Sequence, residues 1–127
     1  MRSVAAIAGA VLMLGTFASG AAENLTLRLP GVTVTRIHAS FECGAEGVAM
    51  GLPAGPFTVQ YLNAGENHLA VLPVRGQALI FANVISGSGA RYAAGRYIWW
   101  DAGARGVTLS VEGSGHQEAD CKLVKKR

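Results

Sequence analysis

The chain has 127 residues and a formal net charge of +3, from eleven Lys and Arg against eight Asp and Glu, enough for one domain and not for two. Half of the residues are hydrophobic and 15 % are charged, which excludes a disordered, low-hydrophobicity chain. The basic residues are scattered from Arg2 onward, with no dense cluster before Lys125-Lys126-Arg127, so nucleic acid is not an expected partner.

The N-terminus opens Met1-Arg2-Ser3, runs without charge from Val4 to Gly15, and closes on Ala18, Ser19, Gly20, Ala21 and Ala22. A basic start, an apolar stretch and small residues are the three parts of a secretory signal peptide. A membrane-spanning helix needs about 20 apolar residues, and this run is shorter. The expected cut follows Ala22, so residues 1–22 are a leader and 23–127 the exported domain. No Cys lies near that boundary to accept a lipid, and the mature form is expected to be soluble rather than membrane-spanning.

Downstream, period-two alternation dominates. Leu25-Thr26-Leu27-Arg28-Leu29 reads as a strand ended by Pro30-Gly31, and a second runs from Val32 through Ile37 toward Phe41 and Cys43. Val48-Ala49-Met50 leads into the loop Leu52-Pro53-Ala54-Gly55-Pro56. Phe57-Thr58-Val59-Gln60-Tyr61 alternates. Leu69 to Val74 carries Pro73, which places that strand at an edge or bulge. Leu79 to Ile85, Tyr92 to Trp100, Val107 to Val111 and a last segment around Ala119 to Val124 complete the series. Seven or eight short strands, with seventeen glycines and no clean helical stripe, predict an all-β antiparallel sandwich or small barrel. Cys43 and Cys121, in a chain that meets an oxidising compartment, read as a disulfide. The competing readings are two free thiols or a metal site, although His38, His68 and His116 show no ligand spacing.

Catalysis finds no motif. The carboxylates form no acid/base pattern, and Ser86-Gly87-Ser88-Gly89 is neither a nucleophile elbow nor a phosphate loop. No metal or cofactor is expected. The unusual stretch is Ser86 to Asp101, with two tyrosines, both tryptophans and two arginines behind a glycine loop. On a strand, Tyr97 and Trp99 face one side, Ile98 and Trp100 the other. Small residues in the loop let a backbone approach a partner closely.

Ser88-Gly89-Ala90-Arg91-Tyr92, followed by Tyr97-Ile98-Trp99-Trp100 with Gly103 beyond, resembles the signature of the bacterial inhibitors of C-type lysozyme, a family with membrane-bound and periplasmic branches. Residues 59–65, 69–74 and 79–84 are similar to it as well, so the resemblance covers roughly 41–124. It implies an eight-stranded antiparallel β-barrel with its early and late cysteines bridged. It further implies two loops that enter the substrate cleft of a C-type lysozyme. The family's loop serine falls on Ser88, beside Gly89 and Arg91, and its tyrosine on Tyr92, which would brace the loop. The family's second-loop lysine falls on Ala102. That substitution removes a cation unless Arg91 or Arg105 reaches in, and Asp101 adds a negative charge nearby. Weaker inhibition, or a different muramidase target, is therefore expected. Lacking a lipid-attachment Cys, the chain resembles the periplasmic branch. Two alternatives lie outside this class: a barrel binding a small apolar ligand or cell-wall fragment with no enzyme target, and a structural envelope module.

Overall fold

Alternating apolar and polar residues make a strand that buries one face, and a chain of such strands avoids exposed edges by closing on itself. A computed structural model, which describes residues 3–15, 24–113 and 115–125, shows that closure. The strands are β1 (Val34–Glu42), β2 (Phe57–Ala64), β3 (Asn67–Val74), β4 (Gln77–Val84), β5 (Ala90–Ala94), β6 (Tyr97–Asp101), β7 (Val107–Val111) and β8 (Gln117–Lys125). Each pairs antiparallel with the next, and β8 returns to β1 through Phe41↔Leu123 and Glu42↔Lys122. Of the two architectures expected, the barrel is the one adopted. A short helix, α1 (Gly44–Ala49), follows β1.

The lumen is filled. Trp99, Phe81, Leu72, Leu109 and Val59 are the largest fully buried side chains, and Phe41 and Phe57 meet Trp99 edge-on at 5.2 and 6.4 Å. One end is plugged by the chain leaving α1. Met50 and Leu52 join the core, the Arg75 amide donates to the Gly51 carbonyl at 2.8 Å, and the Tyr97 hydroxyl donates to the Met50 carbonyl at 3.3 Å. The other end carries the β4–β5 and β6–β7 connections and keeps a hollow of about 360 Å³ among Ile37, Tyr61, Tyr92, Asp101 and Val107. Side chains fill the centre of the barrel, and the space left for a small ligand is at the mouth and on the outer wall.

Three local expectations change. Residues 25–29 form no strand; they run as an extended arm over the outer faces of β1 to β4, along the groove that Val34, Leu62 and Ile80 also line. Pro73 keeps the edge position expected of it, in register opposite Ala78 on β4 and without a partner on its other side. The β2–β3 ladder ends at Gln60↔Val71, so the missing Pro73 amide leaves no bond unmade toward β2. The Tyr92 to Trp100 run divides into β5 and β6 at Gly95, whose φ of +56° suits a residue without a side chain. Residues 44–49 are helical, a single turn too short to show an apolar stripe. The expected cleavage point at Ala22, and the tail residues Lys126 and Arg127, lie outside the described residues.

Cys43 and Cys121 are bonded, 78 positions apart, which removes the free-thiol and metal readings for them. The bridge ties the end of β1 to β8, the pair that closes the barrel. Replacing both cysteines with serine should therefore lower stability by about 2–5 kcal/mol, measured as a shift of the urea unfolding midpoint of the non-reduced protein.

Candidate functional site

Strand parity builds the site. Tyr97, Trp99 and Asp101 share the inner face of β6, while Ile98 and Trp100 share the outer face. Trp99 is therefore fully buried and Trp100 is half-exposed. At the inner face a chain of polar contacts climbs from the core to the mouth. The Trp99 indole N–H donates to the Tyr61 hydroxyl at 2.8 Å. Tyr61 donates to Asp101 Oδ2 at 3.0 Å, and Asp101 Oδ1 accepts the Gly103 amide at 3.0 Å. Asp101 therefore turns its carboxylate into the barrel mouth and onto its own backbone, rather than standing as a free negative charge beside the second loop. The parity that buries Trp99 also puts Asp101 on the inner face, a signal present in the sequence but not drawn from it.

Above this chain two loops meet. The first, residues 85–89, joins β4 to β5; the second, residues 102–106, joins β6 to β7 and carries a single 3₁₀ turn at Gly103–Arg105. Gly89 has φ +66°, and a Cβ there would lie 2.5 Å from the Asp101 carbonyl oxygen and 2.9 Å from Ala102 Cα. The close approach that this glycine permits is thus to the neighbouring loop of the same chain. The Trp100 indole N–H donates to the Ser88 carbonyl at 2.9 Å, and the Ser86 hydroxyl donates to the same oxygen. Arg105 stacks over the Trp100 ring, 5.8 Å from its centroid, and its guanidinium donates to Ser88 Oγ at 2.5 Å. Ser88 and Arg105 are both exposed.

The remaining expected residues fall elsewhere. Ala102 is half-buried at the start of the second loop, its amide donating to the Gly106 carbonyl at 3.0 Å. Arg91, on the outer face of β5, faces Glu112 at 3.9 Å. Tyr92 is buried beneath the loops, its ring 5.7 Å from that of Tyr61. So Ser88, Gly89, Ala102 and Arg105 come together, Arg91 lines a hollow on the outer wall with Ser86, Gly87, Ser88 and Trp100, and Tyr92 lies below. Ile85, which no motif marked, is 95 % exposed at the start of the first loop, where an apolar side chain gains nothing from the fold itself.

Burial raises the Tyr61 phenol far above its ordinary value of 10.0; the Asp101 charge adds to the rise, and the Trp99 N–H opposes it. The Tyr92 phenol is raised too, by burial first and then by Asp101.

Fold and loops together define a small, disulfide-closed β-barrel that holds a pinned pair of loops at one open mouth. Residues 53–117 match the family described as membrane-bound lysozyme-inhibitor of c-type lysozyme, and the chain belongs to that family. A membrane-bound lysozyme inhibitor of C-type lysozyme from Pseudomonas aeruginosa is 53 % identical over 72 residues, a stretch spanning 56 % of each chain. One from Cupriavidus necator is 29 % identical over 128 residues, 95 % of each chain. The crystal structure of Pseudomonas aeruginosa MliC in complex with hen egg white lysozyme superposes with a TM-score of 0.62 at 40 % identity, covering 81 % of this chain and 98 % of that one.

Tyr61→Phe removes the acceptor of the buried Trp99 N–H and the donor to Asp101. It should destabilise the barrel by about 1–3 kcal/mol in urea unfolding at neutral pH. Above pH about 10 an unfolded tyrosine ionises while the folded Tyr61 and Tyr92 phenols stay protonated. The folded state then binds more protons, so stability should be complete below pH 10 and fall as pH rises beyond it. Tyr61→Phe should flatten that alkaline fall.

Proposed function

We propose that this chain inhibits a C-type lysozyme by inserting its two mouth loops into the enzyme's cleft, with Ser88 and Arg105 meeting the catalytic carboxylates. Lysozyme-type glycosidases work with two carboxyl groups in one groove. A guanidinium carries five donors in a planar fork suited to carboxylates. The observation that carries the reading is the Arg105–Ser88 contact, which joins a cation and a hydroxyl into one exposed element across two loops. Arg105 thereby supplies the charge that Ala102 lacks, and Trp100 holds its guanidinium in place. Family membership and the neighbouring lysozyme complex support the choice of partner. The carboxylate of Asp101, engaged by Tyr61 and Gly103, does not oppose an acidic groove as an unpaired charge would.

The same proposal places the mature domain, 23–127, in the periplasm after removal of residues 1–22. The apolar run after Arg2 and the small residues up to Ala22 support it. Among the described residues, no helix is long and apolar enough to cross a membrane.

In a turbidity assay of cell-wall lysis by a C-type lysozyme, the added protein should slow clearing. Ser88→Trp should abolish that effect while the near-ultraviolet circular dichroism of the barrel stays intact. Arg105→Ala should weaken binding by about 2–5 kcal/mol, the cost of losing one desolvated interfacial charge, or tens- to thousands-fold in Kd. Ala102→Lys should restore part of that loss in the Arg105→Ala background. An Arg105→Ala protein that inhibits as well as its parent shows that the cation lies elsewhere.

A further inference from the structure

The outer wall of the barrel is not uniform. Residues that point inward from β1 to β4 fill the core, and those between them point out. Val34, Leu62, Leu69, Val71 and Ile80 make that outer face apolar, and with the arm at residues 24–29 they enclose a groove of about 410 Å³. The arm does not shield this face so much as extend it: Leu25, Leu27 and Leu29 remain 70, 60 and 43 % exposed. The described charges on this face are of one sign: Arg36 on the outer face of β1 and Arg28 on the arm. The nearest described carboxylates stand at the margins, Glu42 at the end of β1 across from Lys122 and Glu66 in the β2–β3 turn. Glu118 and Asp120 belong to β8.

We propose that this wall and arm form a docking face for the surface of an anionic phospholipid bilayer. A contiguous apolar patch on a soluble domain marks an interaction surface, and an apolar face flanked by arginines is suited to the boundary between headgroups and acyl chains. A second copy of the chain is the poorer occupant. A twofold interface sets each patch against itself, which would crowd Arg28 and Arg36 against their copies with no carboxylate at the centre to receive them. Lipid phosphates take the arginines while the leucines enter the interface. The loops that carry Ser88 and Arg105 stand at the mouth, outside this wall, so docking here and inhibition are separate properties.

The test is vesicle flotation of residues 23–127, a form that retains every strand, α1 and both cysteines and lacks the apolar run before Gly15. Vesicles of phosphatidylcholine mixed with phosphatidylglycerol should carry at least about fivefold more protein than phosphatidylcholine alone, with binding falling as salt is raised. Arg36→Glu and Ile80→Glu should each cut the bound fraction roughly fivefold, with inhibition of lysozyme unchanged. Arg36→Glu alters an exposed side chain, so it reports even where Ile80→Glu fails to fold. Equal flotation of parent and Arg36→Glu, no binding at low salt, or a dimer in sedimentation velocity that Arg36→Glu tightens would each overturn the assignment.

Discussion

The hydroxyl of Tyr61 sits between the buried Trp99 indole and the carboxylate of Asp101, and the arrangement of the mouth follows from that position. A buried indole N–H must find an acceptor, and a carboxylate at the rim of an apolar lumen must find donors. One phenol satisfies both, at 2.8 and 3.0 Å. The second oxygen of Asp101 then takes the Gly103 amide, so the second loop starts from a backbone already tied to the core. Burial and the neighbouring carboxylate keep that phenol protonated, which preserves the donor that Asp101 needs.

Rigidity of the loops comes from three further contacts of different kinds. Gly89 lets the first loop approach the second more closely than any side chain would allow. Trp100, on the outer face, spends its indole N–H on the Ser88 carbonyl and offers its ring to Arg105. Arg105 closes the circuit at Ser88 Oγ. An exposed loop ordered before it meets a partner avoids part of the entropy loss on binding. Glycine-rich loops bear most of that loss when they are free, so these contacts matter more here than their individual strengths suggest.

In the proposed inhibitor, Arg105 standing in for a second-loop lysine at the position of Ala102 would be a change of geometry as well as of residue. A lysine is a point charge on a flexible stem, whereas a guanidinium can stack on an indole and donate in several directions at once. Trp100 is available for that stacking because strand parity puts it outside while Trp99 goes in. The two adjacent tryptophans thus have opposite duties, one filling the barrel and one supporting the loops.

Much of this was legible in the residues. Alternation marked β2 and β7, the spaced cysteines marked the bridge, and a two-residue period put Trp99 and Trp100 on opposite faces without deciding which of them fills the barrel. Ser88 and Gly89 were marked by the family signature. What could not be read concerned partners distant in sequence. Residues 25–29 alternate as well as any strand, yet alternation makes a strand only where another backbone is placed to pair with it, and that placement has no local signature. Asp101 looked like a repulsive charge because its partner, Tyr61, lies forty positions away. Whether Arg91 or Arg105 reaches Ser88 depended on the rotation of β5 and on the 3₁₀ turn, neither of which has a local signature. Sequence alone determined the faces of the strands, because side-chain direction alternates with the backbone itself. Only the tertiary structure decided which faces and loops meet, because closure of the barrel sets those distances.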